Sequence, residues 1–402
     1  MPRAHRKAAF GFILANVFLE ALAFGLIFPV LPRLVLELSG DTAATAARAV
    51  GVIAAAWAMA NFFAAPMLGS LSDRFGRRPV ILISAFGFAV DLMVMALAPS
   101  VAWLIAGRAI SGLTAGSYAA MSAYIADVSE PERRAARFGV MGATFGAGMI
   151  LGPAAGGLLG QLNPRAPFAV AAVLATAAWL YGAFVLPESL PPEKRDRAQV
   201  RGVNPFAPLG LLRRAPGLAR LATIGTLVSV ASQSINTLFV LYVAQRFGWG
   251  ALQSGLLLTA FSAGNIVVLG VITPWASRRV GNRQLLTAGL VLSAVAFAGL
   301  ALAPSPLWFC LACIPACLGN VLGAPLGALE TLTVSETEQG RLQGALGALT
   351  ALSALAGPLV FTQVYAWSIL QPGPWSGLAM LMGSGLLVVA TLIGLTTPRR
   401  TA

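Results

Sequence analysis

The chain has 402 residues, 57% of them hydrophobic and only 10% charged, against about 25% charged in a soluble domain. Apolar runs of about 20 residues recur along its whole length, which excludes a soluble protein with a single anchor. The runs are long and uninterrupted, which excludes the short alternating segments of a β-barrel.

At roughly 33 residues per span and loop, the length accommodates about twelve membrane helices. They are predicted near residues 8–31, 49–70, 79–98, 101–126, 137–160, 167–187, 218–244, 252–273, 283–303, 306–329, 342–366 and 374–396. Met1–Lys7 followed by an apolar run superficially resembles a signal peptide. The run is too long, carries Glu20, and ends in Pro29 and Pro32 without a small-residue cleavage site, so it is read as the first span. The connection over residues 188–217 is polar, basic and proline-bearing. It is expected to be a linker, with a short amphipathic helix near Pro208–Arg214. Cys310, Cys313 and Cys317 share one predicted helix without an acidic or histidine neighbour, as packing residues would. The 43 glycines and 25 prolines fit close helix contacts and kinked spans.

The net charge of +13 could mark a nucleic-acid binder, but its placement assigns it otherwise. The N-terminus, alternate loops and the C-terminus hold 22 of the 27 basic residues. That asymmetry places both termini in the cytoplasm and reads the charge as orientation and lipid contact, with no nucleic acid.

The second half repeats the first. Leu97-Ala98-Pro99-Ser100 with Trp103 returns as Leu302-Ala303-Pro304-Ser305 with Trp308, and Gly152-Pro153 as Gly357-Pro358. Ser72, Arg74, Gly76 and Arg78 return as Ser277, Arg279, Gly281 and Arg283, every pair 205 positions apart. The expected fold is therefore an all-α membrane protein of twelve transmembrane helices in two parallel six-helix repeats. Residues 1–187 and 218–402 form the halves, and a site is expected between them.

Between the second and third spans, Gly69-Ser70-Leu71-Ser72-Asp73-Arg74-Phe75-Gly76-Arg77-Arg78 combines small residues for close approach with a turn glycine and three arginines. It resembles the loop signature of the major facilitator superfamily, in which this loop is a charge-based latch. Asp127, Glu130 and Glu132 are natural partners for its arginines, which can equally serve topology alone. In the fifth span, Gly148, Gly152 and Gly156 make a flat face and Pro153 bends the helix. This pattern resembles the helix motif of the drug/proton antiporter branch, although generic close packing uses the same residues.

A charge at mid-bilayer costs about 2.5–3.5 kcal/mol on insertion scales. Glu20, Asp91 and Arg108 all lie within spans of the first half, and their offset partners Gly225, Ala296 and Cys313 are uncharged. A carboxylate away from water can take up a proton near neutrality, and an approaching guanidinium reverses that preference. Asp91 is the first candidate for proton coupling and Glu20 the second. A fixed ion pair that only holds helices together is the plain alternative, and Glu20 can also meet a polar substrate group. Asn61, Ser117, Tyr118, Ser229, Gln233, Asn236 and Asn265 are candidate substrate contacts, Ser229, Gln233 and Asn236 lying in one stripe of the seventh span. Interhelical hydrogen bonding explains them equally well.

Within the superfamily the chain resembles the tetracycline efflux proteins almost end to end. The resemblance rests on Gly25-Leu26-Ile27-Phe28-Pro29, Ser72–Val80, Gly107-Arg108, Ile125-Ala126-Asp127, Gly152-Pro153, Arg246-Phe247-Gly248-Trp249 and Gly357-Pro358. That family exchanges a metal-chelated tetracycline for a proton. Its helix-1 carboxylate matches Glu20, its helix-3 aspartate Asp91, its helix-4 arginine Arg108 and its helix-2 glutamine Asn61. In the second half the chain departs from it. Asn265, Leu269 and Ser293 stand where members carry a histidine, a glutamine and an aspartate.

The resemblance implies a proton-coupled antiporter that exports tetracycline or a similar amphipathic drug by alternating access. The expected unit is a monomer in the plasma membrane, the inner membrane if bacterial. No resident cofactor or metal is implied beyond the coupling proton, a divalent ion arriving only chelated to substrate. A multidrug or metabolite exporter, a passive facilitator and a transport-dead sensor are the alternatives. An enzyme is not expected, since no nucleophile–base pair is visible and the one histidine, His5, lies in the tail.

Overall fold

The computed structural model describes residues 3–40, 42–195, 206, 209–214, 216–335, 338–372 and 375–396. Arg197, Arg201, Arg399, Arg400 and, in the expected linker, residues 196–205, 207, 208 and 215 lie outside them. Among the described residues every regular element is helical. In order they are α1 (Arg3–Ile27), α2 (Leu31–Ser39), α3 (Ala43–Phe75), α4 (Arg77–Leu97), α5 (Val101–Leu113), α6 (Ser117–Val128), α7 (Pro131–Leu162) and α8 (Ala166–Val185). After the linker come α9 (Gly210–Arg214), α10 (Pro216–Phe247), α11 (Ala251–Val267), α12 (Thr273–Val280), α13 (Asn282–Leu302), α14 (Pro306–Gly319), α15 (Gly323–Thr331), α16 (Gln339–Ser368) and α17 (Leu378–Leu395).

Among the described residues, eleven stretches are long and apolar enough to cross a membrane. The twelfth span is α5 with α6, helices of 13 and 12 residues interrupted at 114–116. The break has a local and a distant cause. Gly112 and Gly116 weaken the helix, and the Thr114 hydroxyl donates back to the Ile110 carbonyl at 3.0 Å. The Gly116 amide is then taken by Ser84 Oγ of α4 at 3.3 Å. The first span also ends before the predicted residue 31. It stops at Ile27, because Pro29 supplies no amide to continue the ladder. A turn leads into the short α2, which buries Leu34 and Val35 and ends at Gly40 with φ +61°. A π-turn, Val268–Ile272, joins α11 to α12 just before Pro274.

The chain divides into two compact units. The first comprises Met1–Asp41, Ala56–Asn204 and Gly250–Thr259, the second Thr42–Ala55, Pro205–Trp249 and Ala260–Ala402. The core of the first is built on Phe12, Ile13, Ile81, Met121, Tyr124 and Ile125, that of the second on Ile224, Ala231, Leu290, Phe297 and Leu387. Lipid is as apolar as these side chains, so helix association rests on close packing rather than on escape from water. The glycine face of α7 supplies it against α1. A Cβ on Gly148 would stand 2.7 Å from the Phe18 carbonyl oxygen, on Gly152 2.6 Å from that of Leu22, and on Gly156 2.5 Å from that of Leu26. Gly25 of α1 meets Pro153 Cδ in the same way, at 2.8 Å. Within the same unit, Thr259 Oγ1 donates to the Ile150 carbonyl at 2.8 Å.

Candidate functional site

The membrane-buried charges of the first unit resolve into two groups. Asp91 of α4 is fully buried and Arg108 of α5 is 7% exposed. Arg108 Nε donates to Asp91 Oδ1 at 3.2 Å, and Arg108 Nη2 pairs with Asp91 Oδ2. The neighbouring residue on α5 makes room for this pair, since a Cβ on Gly107 would lie 3.0 Å from Asp91 Oδ1. Both ions are thus neutralised within one helix hairpin, which is what a low-dielectric setting requires of them.

Glu20 of α1 stands apart from that pair. Its Oε2 accepts a hydrogen bond from Ser117 Oγ, the first residue of α6, at 2.9 Å. Its Oε1 is shielded from solvent and has no partner among the described residues. The break between α5 and α6 is what frees Ser117 to turn toward α1. Asn61 of α3 likewise has an unpartnered Oδ1, and it lies beside Gly112, whose Cβ would come within 3.1 Å of the Asn61 amide nitrogen. Asn16 of α1, 4% exposed with an unpartnered Nδ2, belongs with these polar groups. It escaped the sequence analysis because a single asparagine in an apolar run carries no pattern. Tyr118 is exposed and its ring meets that of Phe145 edge-on at 5.8 Å.

The glycine-arginine loop forms one network. Arg77 Nη1 donates to Asp73 Oδ1 at 2.5 Å and to Ser72 Oγ at 3.1 Å, while its Nε donates to Asp127 Oδ2 at 3.3 Å. Of the three expected acidic partners only Asp127 joins it, and Glu130 pairs locally with Arg133 at 3.7 Å. Arg74 lies over its neighbour Phe75, 5.2 Å from the ring centre. Gly76 adopts φ +109°, a conformation that favours glycine. The carboxylate that caps α4 is Glu188, beyond the end of α8. Its Oε1 accepts the Arg77 amide at 2.8 Å and its Oε2 the Arg78 amide at 3.2 Å, a favourable place for an anion at a helix N-terminus. Arg78 Nη2 closes the same corner on the Ala183 carbonyl at 2.7 Å. No local signal links residue 188 to residue 77, so this cap was invisible in the sequence.

In the second unit the polar candidates are dispersed. Asn265 of α11 accepts a hydrogen bond from Asn320 Nδ2 at 2.6 Å, a partner the sequence analysis did not name. Gln233 lies flat over Gly357, whose Cβ would be 2.6 Å from Gln233 Cβ and Cγ. Ser229 is partly buried and Asn236 exposed on the same helix, α10. Ser293 is buried with its hydroxyl against Gly319, so the longer side chain of an aspartate would meet that backbone.

The descriptive model of the Major Facilitator Superfamily matches residues 13–358 and 221–402. The chain is 38% identical to the class C tetracycline resistance protein of Escherichia coli, over 94% of each chain. It is also 38% identical to the class G tetracycline resistance protein of Vibrio anguillarum, over 92% of this chain and 93% of that one. Among solved structures, the nucleoside transporter NupG superposes with a TM-score of 0.79 at 16% identity, covering 97% of this chain and 98% of its own, a likeness of fold. A twelve-span helical fold and a family-wide match of this extent make the chain a multi-pass membrane transporter, not an enzyme, and it belongs to the Major Facilitator Superfamily.

Proposed function

We propose that the protein is a proton-coupled antiporter that expels tetracycline or a closely similar amphipathic drug by alternating access. The reading places it as a monomer in the bacterial inner membrane, with both termini in the cytoplasm on the side of the basic loops. The observation that carries it is the set of ionisable groups inside the spans of the first unit: the neutralised Asp91–Arg108 pair and, separate from it, Glu20 with one oxygen held by Ser117 and one left open. A buried group of this kind is a functional site by default in a membrane protein. The 38% identity to tetracycline resistance proteins over nearly the whole chain supports the choice of drug.

In this mechanism Glu20 exchanges its proton as the site opens to either side, and the Asp91–Arg108 pair fixes the α4–α5 hairpin around it. Asn61, Ser117 and Tyr118 in the first unit, with Ser229, Gln233, Asn236 and Asn265 in the second, supply polar contacts to the drug. The Asp73–Arg77–Asp127 network holds the loop beside α4 in one state of the cycle, with Gly69, Arg74, Gly76 and Arg78 shaping it. Gly148, Gly152, Pro153 and Gly156 give α7 the close seam and bend of an antiporter. One net charge moving inward across 100 mV supplies about 2.3 kcal/mol, roughly a fiftyfold drug gradient. A second reading, export of a different amphipathic drug, is favoured by one feature, the Asn265–Asn320 amide pair. Tetracycline-driven proton movement in proteoliposomes tests the main reading. Flux in the wild type that is lost in Glu20→Gln supports it, and no flux with tetracycline in folded protein removes tetracycline as the substrate.

A further inference from the structure

The mid-span charges legible in the sequence, Glu20, Asp91 and Arg108, all lie in the first half. The structure adds one in the second. Glu330 is the penultimate residue of α15, which completes the tenth span, and it is only 6% exposed. Its backbone carbonyl is engaged by Thr333, through the amide at 3.1 Å and the hydroxyl at 2.6 Å. Its carboxyl group makes no hydrogen bond or ion pair with any described residue. It faces the bare backbone of α10: Glu330 Oε1 would lie 3.5 Å from a Cβ on Gly225, and Leu326 Cδ2 would lie 3.4 Å from the same atom.

The charged and titratable groups of the packed helices are accounted for. On α10, Arg220 is exposed on the turn before Gly225, Arg246 lies at the far end, and Tyr242 donates to the Ala301 carbonyl at 3.0 Å. On α13, Arg283 Nη2 donates to the Leu395 carbonyl at 3.5 Å. The turn Asn320–Leu322 brings no charge. Gly225 is also the position 205 residues after Glu20. The first helix of the second half carries no carboxylate there, and its fourth span brings one beside that backbone position.

We propose that Glu330 is a second proton-binding carboxylate of the transport cycle, set in the second unit. An unpaired carboxylate among apolar groups is accommodated as the neutral acid. It sits one residue from the end of its helix, next to Leu332, which is 75% exposed. A shift of α15 along α10 uncovers it. The O–H bond then breaks, the proton passes to water, and the hydrated carboxylate remains until a new proton binds and α15 returns. The proposal rests on the proton-coupled reading above and adds a residue to it.

The test combines infrared difference spectroscopy of the purified full-length protein with transport. The carboxylic-acid carbonyl band is followed from about pH 5 to about pH 9 in wild type and in Glu330→Gln. The expected result is a titrating band present in wild type and missing from the variant. In proteoliposomes, each coupled proton multiplies drug accumulation by about tenfold per unit of pH gradient. Glu330→Gln is therefore expected to lower tetracycline accumulation about tenfold at one unit, with drug–drug exchange retained. An unchanged band overturns the proposal, and so does a lost band with unchanged accumulation. If Glu330→Gln does not fold, Glu330→Asp serves: the shortened carboxyl retreats from Gly225 and its titration midpoint moves, whereas an unmoved midpoint overturns the assignment. A wild type that shows the band yet moves no tetracycline is a failure of the drug reading alone, and the infrared comparison still decides Glu330.

Discussion

Replacing Asp91 with asparagine keeps the shape of the side chain and removes its charge, which leaves the Arg108 guanidinium buried without its counter-ion. Removing one partner of a buried ion pair costs about 3–5 kcal/mol, and an arginine in mid-span about 2.5–3.5 kcal/mol on insertion scales. With Asp91 fully buried and Arg108 7% exposed, solvent offers little relief, and we expect Asp91→Asn to destabilise the protein by about 3–4 kcal/mol. Adding Arg108→Gln removes the stranded charge. The double variant is expected within about 1 kcal/mol of wild type, about 2–3 kcal/mol more stable than Asp91→Asn alone, and any cost of Arg108→Gln alone adds to the coupling. Reversible unfolding of the purified protein in mixed micelles, followed by helical circular dichroism, gives the four stabilities of the cycle. If Asp91→Asn lies within about 1 kcal/mol of wild type, or the double variant is no more stable than the single, the two groups are not a mutually neutralising pair. The same variants separate structure from coupling. A stable double variant that still exchanges drug for protons would assign the pair to scaffolding and leave the protons to Glu20 and Glu330.

Gly152→Val places a branched side chain where a Cβ would already stand 2.6 Å from the Leu22 carbonyl and 2.7 Å from Gly25 Cα. Neither backbone can yield, so a loss of about 1–3 kcal/mol or more is expected in thermal unfolding, while Gly11→Ala, at a position with nothing within 4 Å, serves as the neutral control. Gly76→Ala forces φ +109° on a residue with a Cβ, costing about 1–2 kcal/mol, and drives that atom into the Glu188 carboxyl group. The segment after α8 should then be cut faster in limited proteolysis. Arg77→Ala removes three side-chain hydrogen bonds from a partly solvated network. We expect less than about 1 kcal/mol in stability but a clear loss of transport rate, and Arg77→Lys, lacking the planar fork, should not restore it. Equal losses of stability and transport would reduce the network to a structural tie.

The spans were legible because a membrane helix must carry its own hydropathy, and the duplication doubled that signal. The loop and α7 motifs were legible because glycine and arginine spacing reports local backbone need. What escaped was set by contacts distant in sequence. The interruption at 114–116 depends on Ser84 accepting the role of partner to the Gly116 amide, which no window around residue 114 contains. Glu188 caps a helix that begins 111 residues earlier. Glu330 was placed just outside a span predicted to end at 329, so a one-residue boundary hid a buried carboxylate. Asn320 lay within the predicted tenth span and became informative only when Asn265 faced it. The family resemblance named Glu20, Asp91 and Arg108, but only coordinates separate the paired aspartate from the glutamate with a free oxygen.

The position of Arg108 also bears on how the chain enters the membrane. Its counter-ion lies 17 residues earlier, on the preceding helix, across a connection of only Ala98, Pro99 and Ser100. The two helices emerge from synthesis in immediate succession, and a hairpin that leaves the translocation channel as one body carries no net charge into lipid. Either helix alone would present the insertion machinery with an uncompensated ion. The pair therefore ties α4 and α5 into a single unit of biogenesis, and a variant that breaks it should fail first in insertion efficiency in cells, before the mature protein is ever asked to transport.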